Sequence, residues 1–268
     1  MEIIRDGYRP FLTEEGEDVF RLTVKEGRLD ETDFVLEVRQ VNEEIIIEAG
    51  HSGRKPVFRF GFWGKLTGSM ICEEDYHEAT LTLNSSDRRL QTSTFDNALM
   101  VLYAVATADK GTMLMHASAV VKDGIGYLFV APSGTGKSTH SSLWLKHLGG
   151  THLLNDDNPI VRISNNGSAT VYGSPWSGKT PCYLNEHYPM GAVVELAQAP
   201  HNTIVPMSGL HAYSILTAAT SGKRWEKRLA DGLHETLNRA AQGIKVFHLD
   251  CRPDEEAARI CYEMIKST

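Results

Sequence analysis

Residues 126–157 of the chain read GYLFVAPSGTGKSTHSSLWLKHLGGTHLLNDD, and their pattern is the main indication of the fold. Residues 127–130 form a short apolar run of strand-favouring types, as in a buried strand. Residues 138–148 have the pattern of a helix, which two following glycines end. That helix should bury one face, formed by Trp144, Leu145 and Leu148. Between the strand and the helix lies APSGTGKS at residues 131–138, which is the context of a phosphate-binding loop.

The loop at residues 131–138 has alanine where such loops usually begin with glycine. Gly134 and Gly136 allow successive backbone N–H groups to point into one concavity, and the helix N-terminus adds partial positive charge. Lys137 would supply a point charge to the outer phosphates, and Ser138 a hydroxyl ligand to Mg²⁺. The alternative is a glycine-rich turn before a surface helix, which the flanking strand and helix disfavour. The predicted nucleotide-binding residues of the loop are Ser133, Gly134, Thr135, Gly136, Lys137, Ser138 and Thr139.

A second stretch, GSPWSGKT at residues 173–180, satisfies the strict glycine–lysine pattern better than the first. Its context differs, because a proline follows at once and no helical periodicity comes after it. Pro175 also removes a backbone donor, and Trp176 is bulky where the backbone must approach a phosphate closely. We therefore interpret it as a separate loop. Lys179 could offer a second cation to the nucleotide, or could be an exposed lysine in a surface turn.

Composition restricts the class of protein. The chain has 268 residues, of which 41% are hydrophobic and 23% charged, as in an ordinary globular protein. The net charge of −7 argues against nucleic-acid binding as the main role. No apolar run approaches the ~20 residues of a membrane span, and the N-terminus has no signal-peptide pattern. Four scattered cysteines indicate free thiols in a reducing compartment, so we expect a cytoplasmic protein without a membrane partner.

The regions before the loop differ in character. Residues 1–94 consist of alternating and β-branched segments separated by Gly, Asp and Asn, which predicts strands. Asp96 is then expected to cap an apolar helix at residues 97–107. An Asp-Gly pair at 123–124, between two apolar runs, predicts a hairpin that leads into the loop strand. We predict an α/β chain with a β-rich N-terminal region at 1–94 and a mixed-sheet domain at 95–268.

Two adjacent carboxylates, Asp156 and Asp157, end the strand predicted after the loop helix. The C-terminal strand ends of an open α/β sheet face the ligand crevice, so both can lie near the phosphates. Adjacent residues on an extended segment point to opposite faces, which favours separate roles. One carboxylate would hold Mg²⁺ and the other would accept a proton from an acceptor hydroxyl. The alternative is a polar turn before Asn158 and Pro159.

These features together resemble a known family. A histidine opening a hairpin (His116), the loop PSGTGKST, a helix and a strand ending in Asp-Asp are similar to the catalytic domain of HPr kinase/phosphorylase. That family shares its P-loop fold with phosphoenolpyruvate carboxykinase, whose SGTGK loop is similar to residues 133–137. The likeness extends roughly from His116 to the C-terminus. It implies phosphate or metal roles for His116, Lys137 and Ser138, although a histidine by itself is more often structural.

The resemblance also divides the two carboxylates: Asp156, with Ser138, is assigned to the metal and Asp157 to the proton. The sequence departs from the family at other points. Thr139 stands where HPr kinases usually have glutamate, and no Glu-Ile-Arg-Gly segment follows Asp157. The β-rich region at 1–94 also differs from that family's usual N-terminal part. The acceptor and a reverse phosphorylase reaction are therefore left open.

The function expected from the sequence is an ATP- and Mg²⁺-dependent kinase, with another nucleoside triphosphate as an alternative donor. Its acceptor would be a hydroxyl of a protein, peptide or small molecule, and self-association of the chain is left open. One alternative is a phosphoryl transfer of the carboxykinase type. It would need an arginine clamp for oxaloacetate, and the sequence assigns none. The other alternative is a nucleotide-binding regulatory module without acceptor chemistry, which the pair of carboxylates disfavours.

Overall fold

A computed structural model describes residues 6–29, 33–42, 44–178 and 180–268. Contacts divide the chain into two compact units. The N-terminal unit contains Thr13–Thr107, and the C-terminal unit contains Gly7–Leu12 together with Ala108–Thr268. The 3₁₀ helix at Asp6–Phe11 therefore lies largely within the C-terminal unit.

The described part of the N-terminal unit is a six-stranded sheet with one α-helix. The strand order is β1-β6-β5-β4-β3-β2, and the β1–β6 pair is parallel while the others are antiparallel. Alternation of apolar side chains such as Phe58, Phe60 and Phe62 buries one face of β4. The elements are β1 (Arg21–Glu26), β2 (Val35–Asn42), β3 (Ile45–Ser52), β4 (Lys55–Phe62), β5 (Lys65–Cys72), β6 (Glu78–Leu83) and α1 (Arg88–Ala106).

Helix α1 corrects one expectation. The helix begins at Arg88 and is capped by Asp87, whose carboxylate accepts a hydrogen bond from Arg89 N at 2.8 Å; the prediction that Asp96 caps it was wrong. The buried stripe continues ahead of Asp96 through polar residues, which apolar periodicity does not detect. Gln91 donates to Ser85 O, and the buried Thr94 hydroxyl lies 2.7 Å from that of Thr67.

The boundary expected between residues 94 and 95 falls inside α1, whereas the contact division lies between Thr107 and Ala108. A boundary between two structural units inside one continuous helix is disfavoured, because backbone hydrogen bonds of the helix connect the residues on either side of residues 94 and 95. The assignment of the two regions as separate functional domains stays a prediction.

The described part of the C-terminal unit is a nine-stranded mixed sheet. Its main order is β10-β8-β9-β13-β12-β11-β7, with β15 beside β13 and β14 beside β15. Strand β9 runs parallel to β13, and β13 parallel to β15. The strands are β7 (Thr112–Leu114), β8 (Ala117–Lys122), β9 (Ile125–Val130), β10 (Thr151–Asp157), β11 (Ile160–Ile163), β12 (Ala169–Tyr172), β13 (His187–Gln198), β14 (Thr203–Met207) and β15 (Lys245–Cys251).

The expected hairpin is confirmed. Strands β8 and β9 pair antiparallel around Asp123 and Gly124, which both have positive φ. An Asp-Gly pair suits this turn because glycine tolerates the left-handed conformation without steric cost. The hairpin delivers β9 to the start of the loop.

Four helices cover the two faces of this sheet in the described residues: α2 (Lys137–His147), α3 (Gly209–Ala219), α4 (Lys227–Gly243) and α5 (Glu255–Ser267). One core cluster contains buried residues of α3 and α4, and the other contains residues of α2 and α5. Trp144 of α2 and Leu148, the C-cap of the helix, are buried as expected, but Leu145 is 40% exposed. Residues four apart share a helix face, whereas the next residue along is rotated by about 100°.

The fold is therefore mixed α/β with two mixed sheets and few helices. Among the described residues, every helix is too short or too polar to cross a lipid bilayer. All four cysteines are free thiols.

Candidate functional site

The site begins where β9 ends and the chain turns into α2. Gly134 and Gly136 both have positive φ, and Gly136 is the N-cap of α2. That N-cap makes no side-chain hydrogen bond, so the first backbone N–H groups of α2 are not used by a capping side chain. Unpaired N–H groups and the helix dipole together favour an anion at this end of the helix.

Lys137 is the first residue of α2, and its amine turns back toward the strands. Its Nζ donates to Ala131 O at 3.0 Å and to His116 Nε2 at 2.8 Å. Burial lowers the pKa of the Lys137 amine, while the negative charges of Asp157 and Asp156 act in the opposite direction. The cation is thus half-buried among groups that hold it beside the loop.

His116 connects this lysine with a carboxylate. The residue lies directly before β8, where its backbone N–H donates to Ala219 O at 2.7 Å. The ring has Lys137 on Nε2 and Asp157 Oδ1 at 3.2 Å from Nδ1. A protonated amine only donates, so Nε2 accepts and the ring proton lies on Nδ1, toward Asp157. His116 therefore has a defined orientation between a cation and an anion.

Asp156 and Asp157 have different partners. Asp156 is buried, and its Oδ1 accepts a hydrogen bond from Ser138 Oγ at 2.9 Å. Asp157 is more exposed, with Oδ1 toward His116 and Oδ2 accepting from Asn158 Nδ2 at 2.8 Å. The opposite directions of neighbouring side chains in β10 account for this difference. One carboxylate thus faces α2 and the other faces His116.

The remaining loop residues selected from the sequence surround this arrangement. Ser133 and Thr139 are exposed at the edge of the loop. The carbonyl of Thr135 accepts a hydrogen bond from Gln198 Nε2 at 3.0 Å, which links the loop to the end of β13. Lys179 lies outside the described residues.

The second glycine-rich stretch lies beside the carboxylates. Gly178 N donates to Asp156 O, and Ser177 forms a β-bridge with Asp157. A Cβ added at Gly178 would lie 2.8 Å from Asp156 O, so only glycine allows this approach. The stretch at residues 173–178 is a loop and not the start of a helix, as expected from Pro175 and the following proline. Its position against β10 was not predictable from that reasoning.

Sequence reasoning missed the residue that joins this loop to β10. Asn155 is fully buried, and its amide donates to Trp176 O at 3.0 Å and to Ser174 Oγ at 3.1 Å. Its Oδ1 accepts from Asn158 N at 2.9 Å. A polar residue at a buried position of a strand was the available signal, because buried amides need partners.

A second missed cluster lies on β13 and β15. His248 Nδ1 is 2.7 Å from Glu195 Oε2, and Nε2 is 3.4 Å from Asp250 Oδ1. Glu195 is opposite Val130, the last residue of β9, in the parallel register. Burial by itself would lower the pKa of His248, but the hydrogen bonds and charges of Glu195 and Asp250 raise it overall. In sequence these residues are separated, and none of them belongs to a motif.

A search of the curated proteins finds no match. Among solved structures, the Hpr(Ser) kinase/phosphatase from Coxiella burnetii matches with 13% sequence identity and a TM-score of 0.33. That match covers 58% of this chain and 94% of the other. A TM-score of this size does not establish a common fold.

The family model described as SynChlorMet cassette protein ScmC matches residues 81–252. This range includes the loop before α2, both carboxylates of β10 and the His248 cluster, and it spans more than half of the chain. The chain therefore belongs to the ScmC family.

Proposed function

We propose that this protein is a phosphotransferase that uses ATP, or another nucleoside triphosphate, and Mg²⁺ to phosphorylate a hydroxyl group. The observation that carries the proposal is the series Lys137–His116–Asp157, with contacts of 2.8 Å and 3.2 Å, beside the Ser138–Asp156 hydrogen bond. It places a cation, a hydroxyl and two carboxylates with separate partners around one helix N-terminus. These are the groups that phosphoryl transfer requires.

The residues present fit a magnesium ion. Mg²⁺ is usually held by one or two protein oxygens together with phosphate oxygens and water. Ser138 Oγ and Asp156 Oδ1, which lie 2.9 Å apart, are the two oxygens that would hold it. No group of three or more His, Cys, Asp or Glu residues suited to a metal occurs among the described residues. When bound, the ion would neutralise phosphate charge.

Lys137 would bind the outer phosphates. Its amine donates to the carbonyl of Ala131 and to Nε2 of His116, which are weaker partners than a phosphate oxygen. A phosphate at the N-terminus of α2 would exchange these contacts for a charge-assisted one. His116 would remain as the neighbour that limits where the amine can point.

Asp157 would accept the proton of the acceptor. As the hydroxyl oxygen of the acceptor bonds to the γ-phosphorus, the bond from phosphorus to the bridging oxygen breaks and the nucleoside diphosphate leaves. The proton of the hydroxyl passes to a carboxylate oxygen of Asp157. His116 Nδ1, which lies 3.2 Å from Oδ1 of Asp157, would hold that carboxylate in position.

The acceptor could be on a protein, a peptide or a small molecule, so the first experiment does not depend on it. Slow Mg²⁺-dependent release of phosphate from ATP, with water as the acceptor, is measured first. Candidate acceptors are then added, and mass spectrometry follows the gain of a phosphoryl group. We expect release to need Mg²⁺ and to be lost in Asp157→Asn. Binding of Mg-ATP without any release or transfer would instead support a regulatory nucleotide-binding module.

A further inference from the structure

A cavity of about 710 Å³ lies in the C-terminal unit, next to the loop before α2. One wall consists of Gly134, Thr135 and Gly136 with the first turns of α2. The opposite wall consists of the end of β13 and the chain after it, together with the end of β15 and Pro253. The cavity is therefore continuous with the N-terminus of α2, where an anion would bind.

The walls of the cavity combine apolar and polar surface. Apolar surface, to which Leu143, Leu196, Pro200 and Pro253 contribute, makes up most of the lining. Polar groups come from the side chains of Thr135, Thr139, His140, Gln198 and Arg252. Concave, mostly apolar sites with a small number of polar groups are typical of small-molecule binding, and this volume lies within their usual range of about 300–1,000 Å³.

One of the lining residues has an unused polar atom. The ring of His140 is 2% exposed, and its Nε2 accepts a hydrogen bond from Trp144 Nε1 at 3.1 Å. Because Nε2 is the acceptor in this hydrogen bond, the ring proton of His140 lies on Nδ1. In the described structure this Nδ1 has no hydrogen-bond partner. A ligand with an acceptor atom would supply one.

The strand order separates the cavity from the acid–base groups. The sheet runs β10-β8-β9-β13, with β15 beside β13, so β9 and its loop lie between the two. Asp156 and Asp157 end β10 on one side, whereas the cavity is formed by β13 and β15 on the other. A triphosphate at the loop would have its terminal phosphate toward β10 and its nucleoside toward β13.

We propose that this cavity binds the base and ribose of the nucleoside triphosphate whose phosphates the loop at residues 131–138 holds. The inference rests on the proposed function, because it takes the phosphate site as given. The hydrogen bond from Gln198 Nε2 to Thr135 O, at 3.0 Å, fixes the cavity wall to the loop and so sets their relative position.

The test compares Mg-ATP with inorganic tripolyphosphate, which has the phosphates but no nucleoside. Ala199→Trp fills the cavity from a partly exposed position. The substitution keeps the backbone hydrogen bond from residue 199 N to Cys251 O. Gln242→Trp, on the exposed side of α4, is the control for adding an indole. Calorimetry should show that Ala199→Trp weakens ATP binding more than about tenfold and leaves tripolyphosphate binding unchanged. Gln242→Trp should alter neither affinity.

The outcomes separate this inference from the proposed function. If Lys137→Ala weakens the binding of both ligands while Ala199→Trp leaves ATP binding unchanged, the phosphate site is supported and the nucleoside site is overturned. If Lys137→Ala changes neither ligand, the phosphate site itself is wrong. Equal losses of both ligands in Ala199→Trp would mean that the indole disturbs the loop. Leu143→Ala, which widens the cavity, is then measured. A lower affinity for ATP with an unchanged affinity for tripolyphosphate supports the nucleoside site, and unchanged affinities for both ligands overturn it.

Discussion

The indole Nε1 of Trp176 donates a hydrogen bond to the phenol oxygen of Tyr8 at 3.0 Å, and both side chains are buried. Tyr8 belongs to the 3₁₀ helix at Asp6–Phe11, and Trp176 to the loop beside the carboxylates. The carbonyl of Trp176 accepts from Asn155, the residue before Asp156. The 3₁₀ helix is thereby joined to the strand that carries both candidate carboxylates.

Tyr8→Phe should therefore destabilise the C-terminal unit. The substitution leaves the buried Trp176 Nε1 without this acceptor, at a cost of about 1–3 kcal/mol in the free energy of unfolding. Chemical denaturation measures this loss. Tyr188→Phe is the matched control, because its hydroxyl donates to Glu186 at the surface and should contribute little. If both variants lost the same free energy of unfolding, the Tyr8–Trp176 hydrogen bond would contribute no more to stability than the surface hydrogen bond of Tyr188.

The two glycine–lysine stretches are distinguished by their lysines. Lys137→Ala should weaken Mg-ATP binding strongly, because it removes the charge next to the N-terminus of α2. Lys179→Ala should weaken it less. Calorimetric titration of both variants compares the affinities. Equal losses, or a larger loss for Lys179→Ala, would mean that the second stretch holds the phosphates.

Replacing each of the two carboxylates by asparagine should impair different properties of the protein. Asp156→Asn should bind Mg-ATP more weakly and recover in part at high Mg²⁺ or with Mn²⁺, since the Ser138–Asp156 pair would hold the metal. Asp157→Asn should bind Mg-ATP normally and lose turnover by about 10²–10⁴-fold, as for a positioned general base. Calorimetry and phosphate release separate the two effects. Variants that are alike in both measurements would contradict the division of roles.

Gly178→Ala should disturb the carboxylate strand. The added Cβ would lie 2.8 Å from Asp156 O, so the loop or β10 must move, at a cost of about 1–3 kcal/mol in the free energy of unfolding. Turnover should fall with it. Gly149→Ala is the control, because a Cβ there meets nothing within 4 Å. A Gly178→Ala protein with unchanged stability and turnover would show that the close approach is not needed.

His248 should make stability depend on pH. Its pKa in the folded protein is raised above the ordinary value of 6.5, so the protonated ring is stabilised on folding. That contribution is present in full below the unfolded pKa and is lost as pH rises through the folded pKa. The free energy of unfolding, measured by denaturation at about pH 6 and about pH 8, should fall with rising pH. His248→Asn should reduce this fall, whereas replacing the exposed His201 with asparagine should not.

Local signals in the sequence were sufficient for several features of the C-terminal unit. The Asp123-Gly124 turn, strand β9 and helix α2 follow from turn chemistry and short-range periodicity. The strand ending in Asp156 and Asp157 was found in the same way, because each of these patterns spans only a few residues. The start of α1 was missed, since its first buried positions are Gln91 and Thr94 rather than apolar residues.

The contacts that these features make with distant parts of the chain are seen only in the tertiary structure. Tyr8 and Trp176 are 168 residues apart in the chain, and Glu195 and His248 are 53 apart, so no local pattern connects them. The loop at residues 173–178 reads by itself as a surface turn, yet it lies against β10 through Asn155 and Gly178. Turns and periodic elements are determined by the conformational preferences of neighbouring residues. Contacts between distant polar groups depend instead on which strands are neighbours in the sheet, because a buried donor must bond to an acceptor that packing places beside it.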